Sequence, residues 1–476
     1  MIDTTKKTKI VCTIGPVTQS EEMLTKLLKA GMNIMRMNFS HGDFAEHQVK
    51  VDNFKKAVAK TGIPAAMFQD LGGPKIRTGE FGTESGRVTV KAGQKFVLTT
   101  EKVVGDENRV SISYAKLPQE AKVGERIMLD DGKKQLLITD IKGKEITTKV
   151  IAGGELKGRR GVNLPDTDLS ISSLTEKDKA DIAFGLKNKV DFFALSFVRR
   201  PSDVQELRDI LNKAKSKAGI ISKIETPQAL ENIDEIIALS DAIMVARGDL
   251  AVEIPAEEVP LAQKMMIRKC NEAGKPVITA TQMLESMIKS PVPTRAEVSD
   301  VANAIIDGTD AIMLSEETTL GDFPIQAVEM MTKIAKKIEA ESMHEQLLVN
   351  GNDHKITGVG ESICSSAVKT ADRVGAKFIV ALTKYGYSAR MTSRHKSPKP
   401  ILVVTPELDT FNKVCLSFGC FPLHIDAFKN FDDALDHIKP LMVKEKLVKK
   451  GDKIVVVSGV PFNKVTESNV FMVETL

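Results

Sequence analysis

Lys223 and Glu225 stand two residues apart in GIISKIET, and Arg247 and Asp249 close a second apolar run in AIMVARGDL. Apolar residues suit a fully buried strand, but Lys, Glu, Arg and Asp are almost never fully buried without a partner or a task. On a strand, residues i and i+2 share a face, so Lys223 and Glu225 point the same way. Asp249, following the next strand, could meet Glu225 on a shared Mg²⁺ or Mn²⁺, hard cations served by carboxylate oxygens, with positions left for substrate and water. A lysine beside such a cation stabilises charge that develops on a substrate oxygen. The competing reading is a structural Lys223–Glu225 ion pair, which is costly to bury. Arg36 and Arg77 add planar cations of the type that grips phosphate bidentately. Gly248 lets a substrate approach the backbone closely. Thr281 ends another run with a hydroxyl for a carboxylate or a water, or is simply a β-former. Together these residues describe metal-assisted chemistry on a small, phosphorylated anion without naming the reaction.

The elements that must position them recur along the chain. Eight apolar runs bounded by turn residues, at 9–15, 33–39, 65–71, 191–197, 219–225, 242–247, 276–281 and 311–316, alternate with helix-like segments. Thr294 with Glu297, and Thr175 with Asp178, have capping-box spacing. Eight such units predict an α/β fold, a (β/α)8 barrel. Arg36, Asn38, Asp70, Ser196, Lys223, Glu225, Arg247, Thr281, Ser315, Glu316 and Glu317 all fall at or beyond the carboxyl ends of the runs, the face where such barrels place their active sites.

From 73 to 169 the pattern changes to short alternating runs with turns at Asp131-Gly132 and Lys142-Gly143, predicting a small β-barrel-like domain inserted after strand three as a lid. The barrel would then comprise 1–72 and 170–345. Residues 346–476, with four strands between helices after a loop over 349–360, predict a C-terminal open parallel sheet for regulation or oligomerisation. Its turn Thr383-Lys384-Tyr385-Gly386-Tyr387-Ser388 enters a helix and could hold a phosphate, on weak evidence.

At 476 residues the chain is too long for one core. Its 42% hydrophobic and 27% charged residues and net charge of +4 are those of an ordinary globular protein, with no demand for nucleic acid or a membrane as partner. The basic run 444–453 reads as a solvated helix end. The polar start MIDTTKKTK lacks a signal-peptide core, and five cysteines without CxxC spacing suit free thiols, so a cytoplasmic setting is expected. Walker and dinucleotide loops and Cys/His clusters are absent from the sequence.

The segments MRMNFSHG (35–42), DLGGPKIRTG (70–79), KGRRGVNLP (157–165), SKIET (222–226), MVARGDLAVEIP (244–255), ITATQMLESM (278–287) and PTRAEVSDVANAIIDGTDAIMLSEET (293–318) resemble pyruvate kinases in order and spacing over essentially the whole chain. The resemblance implies transfer of the phosphoryl group of phosphoenolpyruvate to ADP, in glycolysis, by a homotetramer. It implies Glu225 and Asp249 as metal ligands, Lys223 as the group that neutralises the transferring phosphoryl and the enolate, and Arg36 on the phosphate. Backbone N–H groups at Gly248 and Asp249, with Thr281, would hold the carboxylate, and Thr281 would help deliver the proton through water. His41, Arg77 and Arg160 would meet the nucleotide. IETPQALENIDEI with GDL also looks like a metal-dependent aldolase or lyase of citrate-like acids, and a non-catalytic metabolite sensor is the other class; the inserted and last domains and the retained charged set speak against them.

Three departures stand out. K⁺-requiring members resemble DTKGPEIR at 70–77 and use the equivalents of Asn38, Ser40, Asp70 and residue 71 for potassium. Here residue 71 is Leu71, without a hydroxyl, and Lys75 replaces Glu, so its ammonium could take the place of K⁺. In LSEETTLGDFP (314–324) Glu316 replaces Gly and Leu320 replaces Lys, so only Ser315 and Glu317 carry over. Tyr385 stands where activated members have Ser, and the last loop lacks their glycines. This puts a fructose 1,6-bisphosphate site in doubt and leaves AMP, a monophosphorylated sugar or no activator.

Overall fold

The computed structural model describes residues 3–341, 358–426, 428, 431–462 and 467–476. The expected end of one helix near Leu348 and most of the loop 349–360 lie outside them. The eight apolar runs form eight strands, Lys9–Thr13, Ile34–Asn38, Ala66–Asp70, Phe192–Leu195, Gly219–Ile224, Ala242–Ala246, Val277–Ala280 and Ala311–Leu314, here strands one to eight. They close into a parallel barrel, each beside its sequence neighbour and strand one beside strand eight. Period-two alternation then does the positioning. Ile34, Phe68, Ala194 and Ile221 belong to the apolar cluster that fills the barrel. The residues two further on, Arg36, Asp70, Ser196 and Lys223, therefore rise from the same inner face at the carboxyl end. Both expected capping boxes are present, at Thr175 and Thr294.

At the amino end a polar residue precedes every even strand and accepts an N–H at the start of the odd strand before it. Asn33 Oδ1 takes Ile10 N at 3.0 Å, Asp191 Oδ2 takes Met67 N at 2.8 Å, Asp241 Oδ2 takes Ile220 N at 2.8 Å and Asp310 Oδ2 takes Val277 N at 3.1 Å.

Between strands three and four lies a six-stranded sheet, Val162–Asn163, Arg126–Leu129, Lys134–Lys142, Glu145–Ala152, Lys95–Thr99 and Arg109–Ser111 in spatial order, with a separate ribbon of Arg87–Val90 and Gly154–Lys157. Phe96, Leu98, Ile127, Leu136, Ile146 and Leu156 form its own apolar core. The C-terminal sheet has five strands, in the order Cys420–His424, Ile401–Thr405, Phe378–Leu382, Lys453–Ser458, Val470–Thr475. The last was not expected: it runs antiparallel to Lys453–Ser458 at the sheet edge, half-exposed, so its residues lack the continuous apolar character of the buried strands. This sheet domain closes the amino end of the barrel. Cys415 and Leu416 join the barrel's inner cluster, and Asp310 Oδ1 accepts the Phe418 N–H at 2.9 Å and lies 2.9 Å from Lys396 Nζ in an ion pair. Among the described residues no helix is long and apolar enough to cross a membrane.

Candidate active site

At the carboxyl end of the barrel the inward charges form one buried network. Lys223 Nζ lies 2.7 Å from Glu225 Oε1, 3.5 Å from Asp70 Oδ1 and donates to Ser196 Oγ at 2.7 Å. The same-strand pair of the competing reading therefore exists, but inside a larger set. Asp70 Oδ2 receives Arg36 Nε at 2.8 Å and NH2 at 2.7 Å, and Arg36 NH1 reaches Thr13 Oγ1 at 2.8 Å. Burial would raise the Asp70 carboxyl, but Lys223 and Arg36 hold it below its ordinary range. Burial alone would depress Lys223; the carboxylates of Asp70, Glu225 and Asp249 outweigh it and keep the ammonium charged.

Glu225 is pushed upward, first by burial and then, against the pull of Lys223, by Asp249. Its second oxygen accepts the N–H of Phe197 at 2.7 Å, a residue held at φ 55°. Three cations, Arg36, Lys75 and Lys223, thus share this mouth with three carboxylates, Asp70, Glu225 and Asp249. The all-oxygen donor set of Glu225 and Asp249 fits a hard divalent cation. Among the described residues no group of three or more His, Cys, Asp or Glu is gathered for a metal.

Thr281 is not the β-former its position allowed. It lies past strand seven at φ 69°, followed by Gln282 at φ 54°, both left-handed. Its hydroxyl donates to Ala280 O at 2.6 Å and accepts Gly248 N–H at 2.8 Å. The Gly248 N–H assigned by resemblance to a substrate carboxylate is thus turned toward Thr281. Arg247 explains how this conformation is held: its guanidinium reaches Ala280 O at 3.2 Å, Thr281 O at 2.7 Å and Asp300 Oδ1 at 2.7 Å. Its guanidinium is thereby engaged in holding the loop after strand seven.

A cleft of about 270 Å³ opens between barrel and inserted domain, lined by Lys75, Arg77, Arg159, Arg160, Asp249 and Glu253 among others. Arg160 Nε lies 3.3 Å from Asp130 Oδ1. His41 is exposed, and burial followed by the charges of Lys75, Arg77 and Arg36 lowers it, which places it in this cationic corner. Lys75 Nζ reaches Ser40 Oγ at 3.0 Å, the Ser40 N–H is bonded to Asn38 Oδ1 at 3.1 Å, and Leu71 is buried.

Glu317 is buried and accepts the N–H groups of Ser315 at 2.7 Å and Leu284 at 3.2 Å, joining the loops after strands seven and eight. Glu316 and Leu320 are exposed. In the C-terminal turn Gly386 is left-handed, with its N–H on Thr383 Oγ1 at 2.9 Å. Ser388 Oγ accepts from Ser468 at 2.8 Å, Lys384 lies over the Tyr385 ring, and Tyr387 opens the helix. Sequence reasoning passed over Thr13, Phe197, Asn163 and Glu253. Alternation along strand one would have found Thr13, but nothing local announces the others.

Residues 5–328 match the family described as "Pyruvate kinase, barrel domain" and residues 361–474 the one described as "Pyruvate kinase, alpha/beta domain". The chain belongs to the pyruvate kinase family. It is 45% identical over 457 residues to the pyruvate kinase of Bacillus licheniformis, covering 95% of this chain and 78% of that protein. To the pyruvate kinase of Geobacillus stearothermophilus it is 43% identical over 474 residues, covering 99% and 80%. The crystal structure of a pyruvate kinase from Cryptosporidium parvum superposes with a TM-score of 0.94 at 37% identity, covering 99% of this chain and 96% of that one. The enzyme is thus a kinase, and the substrates that pyruvate kinase implies are phosphoenolpyruvate and ADP.

Proposed function

We propose that this pyruvate kinase works with Mg²⁺ or Mn²⁺ at Glu225 and Asp249 and without K⁺. The carrying observation is the charge network around Lys223. Phosphoryl transfer needs little covalent help from the protein and much positioning and neutralisation. Arg36, braced by Asp70 and Thr13, grips the phosphoryl oxygens of phosphoenolpyruvate. Lys223, fixed by Ser196 and Glu225, faces the oxygen on which enolate charge develops as the bond to phosphorus breaks. A divalent cation, when bound, adds charge neutralisation of the phosphoryl and enolate oxygens. Gly248 and Thr281 meet the carboxylate once it displaces the bond between the Gly248 N–H and the Thr281 hydroxyl, and that hydroxyl orients the water that protonates the enolate carbon. Arg77, Arg160 and His41 receive the nucleotide phosphates in the cleft under the inserted domain, which serves as a lid over 73–169.

Potassium independence rests on Lys75 and Asp70. The Lys75 ammonium bonds Ser40, one of the residues a K⁺ site would use, and the Asp70 carboxylate is already occupied by Arg36 and Lys223. Leu71 offers no oxygen from its side chain. Steady-state turnover with K⁺ rigorously replaced should therefore fall by less than about tenfold, the equivalent of roughly 1.4 kcal/mol. A larger fall overturns potassium independence.

The same reading makes the enzyme a cytoplasmic homotetramer. Five buried free cysteines suit a reducing compartment, and exposed apolar residues on the barrel, Leu261, Val292 and Leu320, suit contact with a second subunit. In the turn 383–388 the hydroxyls of Thr383 and Ser388 are engaged internally and Tyr385 is 61% exposed. Fructose 1,6-bisphosphate should leave the apparent affinity for phosphoenolpyruvate unchanged in a titration at subsaturating substrate. AMP and monophosphorylated sugars are the alternatives to an unregulated enzyme, and the same titration separates them.

A further inference from the structure

The seven-residue helix Arg247–Glu253 joins two parts of the enzyme that have to act together. Its first turn presents Gly248 and Asp249 beside Thr281 and Lys223. Its last two residues touch the inserted domain. Asn163 Nδ2, on the strand that leads out of that domain, donates to Glu253 Oε1 at 2.7 Å across 90 residues of sequence. Val252 lies against the turn at Gly132, where an added Cβ would meet its Cγ1 at 3.4 Å. That turn also carries Asp130, the partner of Arg160. Glu253 is only 8% exposed, and its neighbours in the cleft include the carboxylate of Asp249. Burying a carboxyl there is costly unless a donor meets it, and Asn163 is that donor.

A hydrogen bond spanning two bodies on either side of a cleft sets the angle between them as well as adding stability. We propose that Glu253 is a positioning residue, which through Asn163 seats the inserted domain on the helix that presents Asp249 and so couples closure over the nucleotide to the metal-binding end of that helix. The part concerning Asp249 rests on the metal assignment made above. ADP, which meets Arg160 and Arg77, is the substrate whose capture depends on this seating. Phosphoenolpyruvate, held from inside the barrel by Arg36 and Lys223, depends on it much less.

The test is a double-mutant cycle on the full-length enzyme. Asn163→Ala and Glu253→Ala should each raise the KM for ADP by about tenfold, the loss of one charge-assisted hydrogen bond. The KM for phosphoenolpyruvate should move by less than about twofold, and the double variant should be no worse than the poorer single one, because contacting residues couple. Glu253→Gln, whose amide oxygen can still accept from Asn163, should recover most of the loss. Multiplying losses in the double variant, a parallel rise in both KM values, or a lower melting temperature with unchanged KM for ADP would each overturn the coupling. Should Glu253→Ala not fold, Asn163→Ala and Glu253→Gln decide the matter alone. Asp249→Asn separates the two readings: if it needs no more Mg²⁺ than the parent for half-activation, the metal assignment fails, whatever Glu253 does.

Discussion

Replacing Lys223 with methionine should lower kcat by on the order of 10³-fold, the scale seen when one preorganised donor to a developing oxyanion is removed. Methionine nearly keeps the volume and loses only the charge and the donors. The ammonium sits within 3.5 Å of Asp70, Glu225 and Ser196 and is buried with them. Its loss leaves the buried Glu225 without its ion-pair partner, a change that also costs stability, about 3–5 kcal/mol for a broken buried pair. Kinetics and thermal melting should therefore be measured together. A kcat deficit that persists well below the variant's melting temperature belongs to the chemistry. Turnover at the parent rate would show that Lys223 is not the charge stabiliser.

Glu225→Gln should raise the Mg²⁺ concentration for half-activation by roughly 10- to 100-fold, because one of two protein carboxylates is lost from the site. The glutamine can still accept the N–H of Phe197, which the carboxylate now takes at 2.7 Å, so the left-handed Phe197 and the loop after strand four should keep their places. The measurement is initial rate against free Mg²⁺ at saturating substrates. An unchanged curve would move the metal elsewhere, and restored rates at high Mg²⁺ would confirm that only affinity was lost.

The barrel was readable from sequence because its strands are buried on both sides: each is a mainly apolar run whose polar residues gather toward its carboxyl end. The same alternation that puts Ile221 in the core puts Lys223 and Glu225 above it, so their meeting on one face followed from spacing alone. The final strand, Val470–Thr475, escaped because an edge strand half-exposed to water has no such run. The backbone of Thr281 was not foreseen, since φ 69° at a threonine is imposed from outside, by the carbonyl grip of Arg247. The contact of Glu253 with Asn163 depends on how two separately folded bodies meet, and neither residue's neighbours in sequence record it.

The four residues ahead of the even strands, Asn33, Asp191, Asp241 and Asp310, make the barrel a ring of four stitched strand pairs. Each stitch closes within a pair, one to two, three to four, five to six, seven to eight. Two of the four, Asp191 and Asp310, also accept bonds from the C-terminal domain, through Asn412 and through Lys396 and Phe418. The chain has thereby divided its labour along the barrel axis. Carboxylates at one mouth are committed to backbone N–H groups and the neighbour domain, whereas Asp70 and Glu225 at the other mouth are committed to the cations Arg36 and Lys223.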